Sequence, residues 1–235
     1  SSSLVGSEMC IRDRYKYSPM SFIGSFGIGM IYGASFGLIA VFGAKLGLSI
    51  FQISILVFVN TFIGALFQYP VGKLSDTFDR RIILLILNII ALVSSICVII
   101  FGSFSFNILL LFVGIHSAVS LPYYAVVISH LNDFLEKDEV VSASSTLTLV
   151  NALGLVLGPI IVSGFMSYFD AYGLFYYCAI VYVFLALFTY QRIRIGRTSE
   201  IYDENTPSMI VPRTASAIGM QTATEQMISK IDEKE

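Results

Sequence analysis

Six long apolar segments dominate the chain, and short polar or charged stretches separate them. They cover about residues 21–44, 50–71, 82–101, 108–131, 140–166 and 174–190. Each is close to the roughly 20 residues that a helix needs to cross the hydrocarbon core of a bilayer. The segments are continuously apolar rather than alternating, which excludes membrane strands, and six such helices would leave a soluble protein without a polar surface. The pattern therefore predicts an all-α protein that crosses a membrane six times.

The composition agrees with a membrane protein and excludes several classes of site. Only 13% of the residues are charged, whereas roughly a quarter are charged in a soluble domain. The cysteines Cys10, Cys97 and Cys178 are scattered and odd in number, which argues against a disulfide framework. No spacing of His, Cys, Asp or Glu predicts a metal site. We expect a lipid bilayer as surroundings, no cofactor and no nucleic acid.

Basic residues predict the orientation of the helices. The connections after the second and fourth segments, and the stretch after the sixth, carry the basic residues Lys73, Arg80, Arg81, Lys137, Arg192, Arg194 and Arg197. The other connections carry only Lys45. Because Lys and Arg accumulate on the cytoplasmic side of a membrane, the first group is predicted to be cytoplasmic. An even number of spans then places both termini in the cytoplasm.

The chain divides into three predicted parts. Residues 1–14 (SSSLVGSEMCIRDR) lack the apolar core of a signal peptide, and the chain does not start with Met, so we interpret this stretch as non-native and the chain as a fragment. Residues 15–192 form the membrane bundle. Residues 193–235 are polar and charged, which predicts a disordered cytoplasmic tail with one short helix near residues 225–231. A small soluble domain is the alternative for this tail.

An ordered set of residues, which we call the gate motif, lies between the second and third segments: Gly72, Leu74, Asp76, Arg80 and Arg81. Gly72 is predicted to end the second helix and to allow a sharp turn. Asp76 can accept hydrogen bonds from backbone N–H groups at a helix start, where the helix dipole favours a negative charge. The simpler alternative is a basic turn that only anchors two helices at the membrane surface.

The gate motif resembles the signature loop of the major facilitator superfamily, G-x-L-x-D-x-x-G-R-R/K. Asp79 stands where that family usually has Gly, which predicts a less tight turn. The fifth segment contains Gly154-x-x-x-Gly158-Pro159, which resembles a Gly-Pro helix of the C-terminal half of these proteins. The stretch from residue 130 to residue 159 resembles the YcaD-like branch of bacterial facilitators.

This resemblance implies a fold and a function. Such proteins have twelve helices in two six-helix halves, and each half is an inverted pair of three-helix repeats. The chain would be a C-terminal half in the bacterial inner membrane, and its partner would be the missing N-terminal half. Its first and fourth helices would line a central cavity, the second and fifth would face the missing half, and the third and sixth would stand outside. The expected function is secondary active transport of a small organic solute, coupled to protons.

Polar side chains inside the apolar segments are candidates for the cavity, because such groups are costly in a membrane and usually face a partner or a cavity. They are Tyr32, Ser35, Asn60, Gln68, His116, Ser120, Tyr123, Tyr124 and Asn151. A histidine such as His116 can titrate near neutral pH, so it would relay protons or bind substrate. The alternative is a neutral residue that hydrogen-bonds between helices. No segment contains a carboxylate deep inside, so the main proton-coupling carboxylate is expected in the missing half.

Small residues predict close packing between helices. In the first segment Gly29, Gly33 and Gly37 recur at four-residue steps on one face, which permits close helix contact. In the fifth segment Gly154, Gly158 and Pro159 are the corresponding candidates.

Acidic residues after the fourth segment are candidate partners of the gate motif. We expect Arg80 or Arg81 to pair with Asp133 or Glu136, while Asp76 faces a helix start of the missing half. This network would latch the outward-open state. The alternative is a solvated acidic loop.

Two other functions remain as alternatives. A membrane receptor or scaffold would retain the fold without transport, and loss of the gate motif would be its mark, yet that motif is largely present. A membrane enzyme would need a nucleophile or a phosphate-binding loop, but the glycine-rich stretches lie within apolar helices. The sequence therefore predicts a transporter rather than an enzyme.

Overall fold

The fold is a bundle of long α-helices. The computed structural model describes residues 19–133 and 140–203, with side chains as far as residue 195. The helices in these ranges are α1 (Pro19–Lys45), α2 (Ile50–Thr77), α3 (Arg80–Phe101), α4 (Phe106–Asn132), α5 (Val140–Tyr168) and α6 (Gly173–Asp203). Each of the six is long and apolar enough to cross a membrane. They coincide with the six predicted segments.

The last helix extends beyond its predicted end. The apolar part of α6 covers Gly173–Ile195, and the helix continues to Asp203, so the described part of the expected disordered tail is helical. The bundle described below ends at Arg194, and the remainder forms a separate unit. The predicted non-native residues 1–14 and the short helix predicted near residues 225–231 lie outside the described residues.

Local hydrogen bonds fix where several helices begin. Ser49 and Gln52 form a reciprocal capping box at the start of α2, with distances of 3.3 Å from the Gln52 N–H to the Ser49 hydroxyl and 2.9 Å from the Ser49 N–H to Gln52 Oε1. Asp79 caps α3 by accepting the Arg81 N–H at 2.9 Å, and Ser105 caps α4. These short polar side chains satisfy backbone donors that a helix start leaves without partners.

The turn of the gate motif lies later than Gly72, and the prediction that Gly72 ends the helix is wrong. α2 continues through Gly72 to Thr77, and a β-carbon at Gly72 would meet no atom within 4 Å. The turn consists of Phe78 and Asp79, both with ordinary negative φ angles. No glycine is needed there, because Asp79 stabilises the start of α3 as its cap.

The helices differ in how deeply they lie in the bundle. α1 packs against α5, α2 packs against α4, α3 packs against α4, and α1 also contacts α4. In the apolar core of each helix, 56% of the α1 residues and 61% of the α4 residues are buried, against 17% for α2 and 22% for α5. α1 and α4 therefore form the centre of the bundle, while α2 and α5 leave wide faces uncovered.

The glycines of α1 bring its backbone against α5. A β-carbon at Gly29 would collide with the carbonyl oxygen of Asn151, and one at Gly33 would collide with that of Leu155. The Ser25 hydroxyl also donates a hydrogen bond to the Leu147 carbonyl at 3.0 Å. The close helix contact predicted for this face of α1 is therefore present at Gly29 and Gly33.

The glycines of α5 make the same kind of close contact with the backbone of α1. A β-carbon at Gly154 would collide with the carbonyl oxygen of Phe26, and one at Gly158 would collide with that of Met30. We call this reciprocal contact between the two backbones the glycine seam. Such small residues allow membrane helices to approach until their backbones touch.

Candidate functional site

A polar cleft lies in the middle of the apolar bundle, between α1, α2 and α4. In this structure its cavity volume is about 10 Å³, which is room for about one water molecule. Five of the nine polar side chains predicted for a cavity contribute to its lining, which consists of Tyr32, Ser35, Phe36, Asn60, His116, Ser117, Ser120 and Leu121. The lining groups are hydrogen-bonding and aromatic or aliphatic, and none is a carboxylate or a cationic amine.

Tyr32 and Asn60 connect the walls of the cleft to α4. The Tyr32 hydroxyl lies 3.0 Å from the Ser120 carbonyl oxygen and 2.6 Å from that of Leu121. The Ser117 hydroxyl donates to Asn60 Oδ1 at 2.7 Å. Both pairs fix side chains of α1 and α2 against the same stretch of α4, so the geometry of the cleft depends on three helices.

His116 is the titratable ring at the back of the cleft. It is 1% exposed, and the rings of Phe175 and Tyr182 from α6 stand edge-on to it at 5.6 and 5.7 Å between centroids. Its Nδ1 lies 3.5 Å from the Ser120 hydroxyl. Its Nε2 has no hydrogen-bond partner among the described residues. Leaving a buried polar atom unpaired costs about 1–3 kcal/mol, so Nε2 retains an unused capacity for one hydrogen bond.

Ser120 connects His116 to α6. Its hydroxyl lies 2.6 Å from the His116 carbonyl oxygen and 2.6 Å from the Tyr182 hydroxyl. Since the serine proton points to the carbonyl, the tyrosine donates to the serine oxygen. Tyr182 was not a candidate from the sequence, although a fully buried tyrosine in a membrane segment needs a partner for its hydroxyl.

The other four cavity candidates lie outside the cleft: Gln68 is exposed on α2, and the remaining three lie elsewhere in the bundle. Tyr123 is buried, and its hydroxyl accepts a hydrogen bond from Asn88 Nδ2 of α3 at 3.2 Å. The Tyr124 hydroxyl lies 3.1 Å from that of Thr148 on α5. Asn151 Nδ2 donates to the Ser25 carbonyl of α1 at 2.9 Å. In the bundle these three side chains connect neighbouring helices.

Arg80 of the gate motif forms ion pairs with residues at the ends of two other helices, α4 and α2. Its Nε lies 3.0 Å from Asp133 Oδ2 at the end of α4, which is one of the alternative ion pairs that the sequence predicted. Its Nη2 lies 3.4 Å from Asp76 Oδ1 in the last turn of α2. The Arg80 side chain is 19% exposed, against 70% for Asp76. A carboxylate in the last turn opposes the helix dipole, so the Arg80 charge offsets this repulsion.

The described residues contain only a part of the predicted network. Glu136, the other predicted partner of the two arginines, lies outside them. Asp76 contacts no helix start within the described bundle, and its exposed carboxylate faces away from the core. Leu74 is 46% exposed. The surface formed by Gly72, Leu74 and Asp76 is therefore open at the end of the bundle that carries Arg80, which we call the basic end.

A second ion pair lies at the opposite end of the bundle. The Lys45 amine lies 3.3 Å from the Asp170 carboxylate and 3.1 Å from the Met166 carbonyl. This ion pair joins the end of α1 to the end of α5. The described residues contain no cluster of three or more His, Cys, Asp or Glu side chains that could hold a metal ion.

The comparison with protein families identifies the class. The chain matches the Major Facilitator Superfamily over residues 21–217, which is most of its length. It therefore belongs to this superfamily of membrane transporters, which are not enzymes. The prediction of an all-α membrane protein with six spanning helices is thereby confirmed, and the receptor or scaffold alternative is not favoured.

The length of this chain can be compared with that of one sequence relative. The chain is 28% identical over 172 residues to an uncharacterized MFS-type transporter, YfkF, of Bacillus subtilis strain 168. The alignment covers 72% of this chain and 43% of that protein. The chain thus spans less than half the length of the relative.

Proposed function

We propose that this chain is the C-terminal half of a secondary active transporter that moves a small organic solute across the bacterial inner membrane by alternating access. The observation that carries the proposal is the polar cleft between apolar helices, which His116 lines while its buried Nε2 has no hydrogen-bond partner among the described residues. The relative of about twice the aligned length supports the assignment to one half. The resemblance to the YcaD-like branch and the cytoplasmic position of both termini belong to the same proposal.

The lining of the cleft suggests the kind of solute. The hydroxyl of Tyr32, the amide of Asn60 and the imidazole of His116 offer hydrogen bonds, while Phe36 and Leu121 offer apolar contact. A buried cation or anion needs an opposite charge nearby, and none lines this half of the cleft. We infer a small solute that is uncharged where it meets this half and carries at least one hydrogen-bonding group.

Proton coupling is the second part of the proposal. His116 is the histidine in the lining of the cleft, and we assign the proton exchange of this half to its imidazole, because an unperturbed histidine is the side chain that titrates nearest neutral pH. Its ring is enclosed by Phe175 and Tyr182, so its protonation would be sensitive to whether the cleft is wet. The main carboxylate for coupling is assigned to the other half of the transporter.

The gate motif is proposed to hold the two halves together at the basic end. Arg80 already binds Asp133 at 3.0 Å and lies 3.4 Å from Asp76. The exposed Asp76 carboxylate is free on its outer side to accept backbone N–H groups from a helix start, as helix dipoles favour. Closing the basic end would latch the outward-open state. The wide exposed faces of α2 and α5 supply the surface against which the other half would rock.

The test uses the product of the complete gene, reconstituted in vesicles with an imposed pH gradient. Uptake or efflux is measured for a panel of sugars, drugs and organic acids, with an ionophore that removes the gradient as the coupling control. Asp76→Asn keeps the size of the side chain and removes its charge. We expect transport to slow at least about tenfold, the effect of losing about 1.4 kcal/mol in one state, without loss of helical content.

A matched variant separates the gate from a general effect of charge. Asp170→Asn removes an exposed carboxylate at the opposite end, where the side chain is 80% exposed, and is expected to transport normally. If Asp76→Asn moves solute as fast as the unmodified protein, the gate proposal is wrong. If no solute moves at all, the transport assignment itself must be replaced by a receptor or scaffold role.

A further inference from the structure

A second groove, apolar throughout, lies between α1 and α6 and is separate from the polar cleft. Its cavity volume is about 550 Å³. On α1 it is lined by Phe22, Phe26 and Met30, which follow one another at four-residue steps, and on α6 by Ile180 and Phe184. Its lining contains no polar side chain. The groove is large enough for part of an extended hydrocarbon chain and offers nothing to a polar solute.

The cationic side chain of Arg192 lies on the same face of α6 as the groove residue Phe184. The ring of Phe184, which lines the groove, stacks on that of Phe188 with 6.5 Å between centroids. The guanidinium carbon of Arg192 lies 5.4 Å from the centroid of the Phe188 ring. Phe184, Phe188 and Arg192 recur at four-residue steps, so they follow one face of the helix. Contacts between neighbours therefore run without a break from the groove to the guanidinium group.

The dimensions match one leaflet of a membrane. From Ile180 to Arg192 the helix rises by about 18 Å at 1.5 Å per residue. Half of a hydrocarbon core of about 30 Å is about 15 Å. The Phe42 and Phe175 rings, 5.1 Å apart, join the end of α1 to the start of α6, so the two helices run antiparallel. The groove thus lies at acyl-chain depth, and Arg192 lies at headgroup depth.

We propose that this groove binds one acyl chain of an anionic phospholipid of the surrounding bilayer and that Arg192 binds its phosphate. Within the described residues Arg192 forms no ion pair with a carboxylate, so its charge is available. A guanidinium group binds phosphate oxygens through two parallel N–H groups, and the aromatic ring beneath it holds it in place. An amphiphile with one negative headgroup complements both parts, whereas a neutral lipid would use only the groove.

The absence of tryptophan from the sequence gives a direct test. Because the chain contains no Trp, Phe184→Trp places a single fluorescent reporter at the groove. Leu187→Trp is the matched control on the same helix, since Leu187 is 57% exposed against 59% for Phe184 and does not line the groove. The full chain is reconstituted in vesicles of unlabelled phosphatidylcholine. Increasing amounts of a lipid with brominated acyl chains, either phosphatidylglycerol or phosphatidylcholine, are included, because bromine atoms quench Trp on contact.

The expected result is a preference that depends on both position and charge. In the Phe184→Trp variant, quenching should reach its half-maximum at about fivefold less brominated phosphatidylglycerol than phosphatidylcholine, the ratio that one basic residue provides at a membrane surface. The Leu187→Trp variant should show no such difference. Adding Arg192→Gln to Phe184→Trp should abolish the preference, while adding Arg192→Lys, which keeps the charge, should retain most of it.

Three outcomes would overturn the proposal. They are equal quenching of the Phe184→Trp variant by the two lipids, the same preference in the Leu187→Trp variant, and a preference that survives Arg192→Gln. Circular dichroism of each variant establishes that it keeps its helices. None of these outcomes depends on transport, so this proposal and the proposed function can fail separately.

Discussion

The two principal helix contacts of the bundle, α1 with α5 and α2 with α4, are built differently. At the glycine seam between α1 and α5, Gly29 and Gly158 each meet a backbone carbonyl of the other helix. Between α2 and α4, a β-carbon at Gly64 would lie 2.9 Å from Leu121 Cβ and 3.0 Å from the Ser117 carbonyl. Side chains take a larger part in the second contact, and the hydrogen bond between Ser117 and Asn60 belongs to it.

The difference matters because the inverted repeat implied by the family makes these two contacts equivalent. At the glycine seam an added β-carbon would overlap a carbonyl oxygen of the facing backbone. At Gly64 the nearest atoms are the Leu121 β-carbon, which a rotamer change does not move, and a backbone carbonyl, but both are farther away. The polar cleft borders the second contact, since Asn60, Ser117 and Leu121 line it. We conclude that the α1–α5 contact is the rigid one and that the α2–α4 contact beside the candidate site is the looser one.

The largest effect is expected at the rigid contact. Gly158→Ala would place a β-carbon against the Met30 carbonyl oxygen, so the two helices must separate. We expect a loss of about 3 kcal/mol in the free energy of unfolding, the upper part of the usual range for overpacking. Gly164→Ala on the same helix is the control, because a β-carbon there meets nothing within 4 Å. Unfolding in mixed detergent measures both, and equal stabilities would contradict the glycine seam.

A smaller effect is expected from the same substitution at the looser contact. Gly64→Ala brings a β-carbon to 2.9 Å from Leu121 Cβ and 3.0 Å from the Ser117 carbonyl, so the two helices need to move apart less than at the glycine seam. We expect a loss of about 1 kcal/mol, at the low end of the range for overpacking. The same unfolding assay compares it with Gly158→Ala. A loss as large as that of Gly158→Ala would show that both contacts are rigid.

The smallest effect marks the end of the glycine seam. At Gly37 a β-carbon would lie 3.5 Å from Pro159 Cγ, which is ordinary van der Waals contact. Gly37→Ala should therefore change the stability by no more than about 0.5 kcal/mol. One turn earlier, Gly33→Ala should be costly, because its β-carbon would collide with the Leu155 carbonyl. Similar losses for the two variants would place the boundary of the seam elsewhere.

The sequence predicted the helices well, because a bilayer imposes a length that can be counted. It misplaced the end of α2, since Gly72 is compatible with a helix and the cap that defines the turn is Asp79. It also stopped α6 too early, because hydropathy marks where a helix leaves the membrane and not where it ends. The spacing of Gly29 and Gly33 predicted close contact but could not identify α5 as the partner.

The candidate site was predictable only in part, for a related reason. Charges of opposite sign on short connections restrict each other's partners, so Arg80 or Arg81 could be assigned in advance to Asp133 or Glu136, and Arg80 with Asp133 is the pair that the structure shows. A polar residue inside a helix indicates that a partner exists without identifying it. Tyr123 and Asn151 were expected in the cavity, yet their partners are Asn88 and Ser25 on adjacent helices. Which face of a helix meets the cleft depends on rotations that only the packed bundle defines.

The glycine seam also has a consequence for biosynthesis. Ser25 and Leu147, which are hydrogen-bonded across it, lie 122 residues apart in the chain. At about 5–20 residues per second, a ribosome adds the second of them roughly 6–24 s after the first. During that interval the glycine face of the newly inserted α1 has no α5 packed against it and is exposed to the translocon or the lipid. The helix α1 must therefore wait for α5 before it is fully packed.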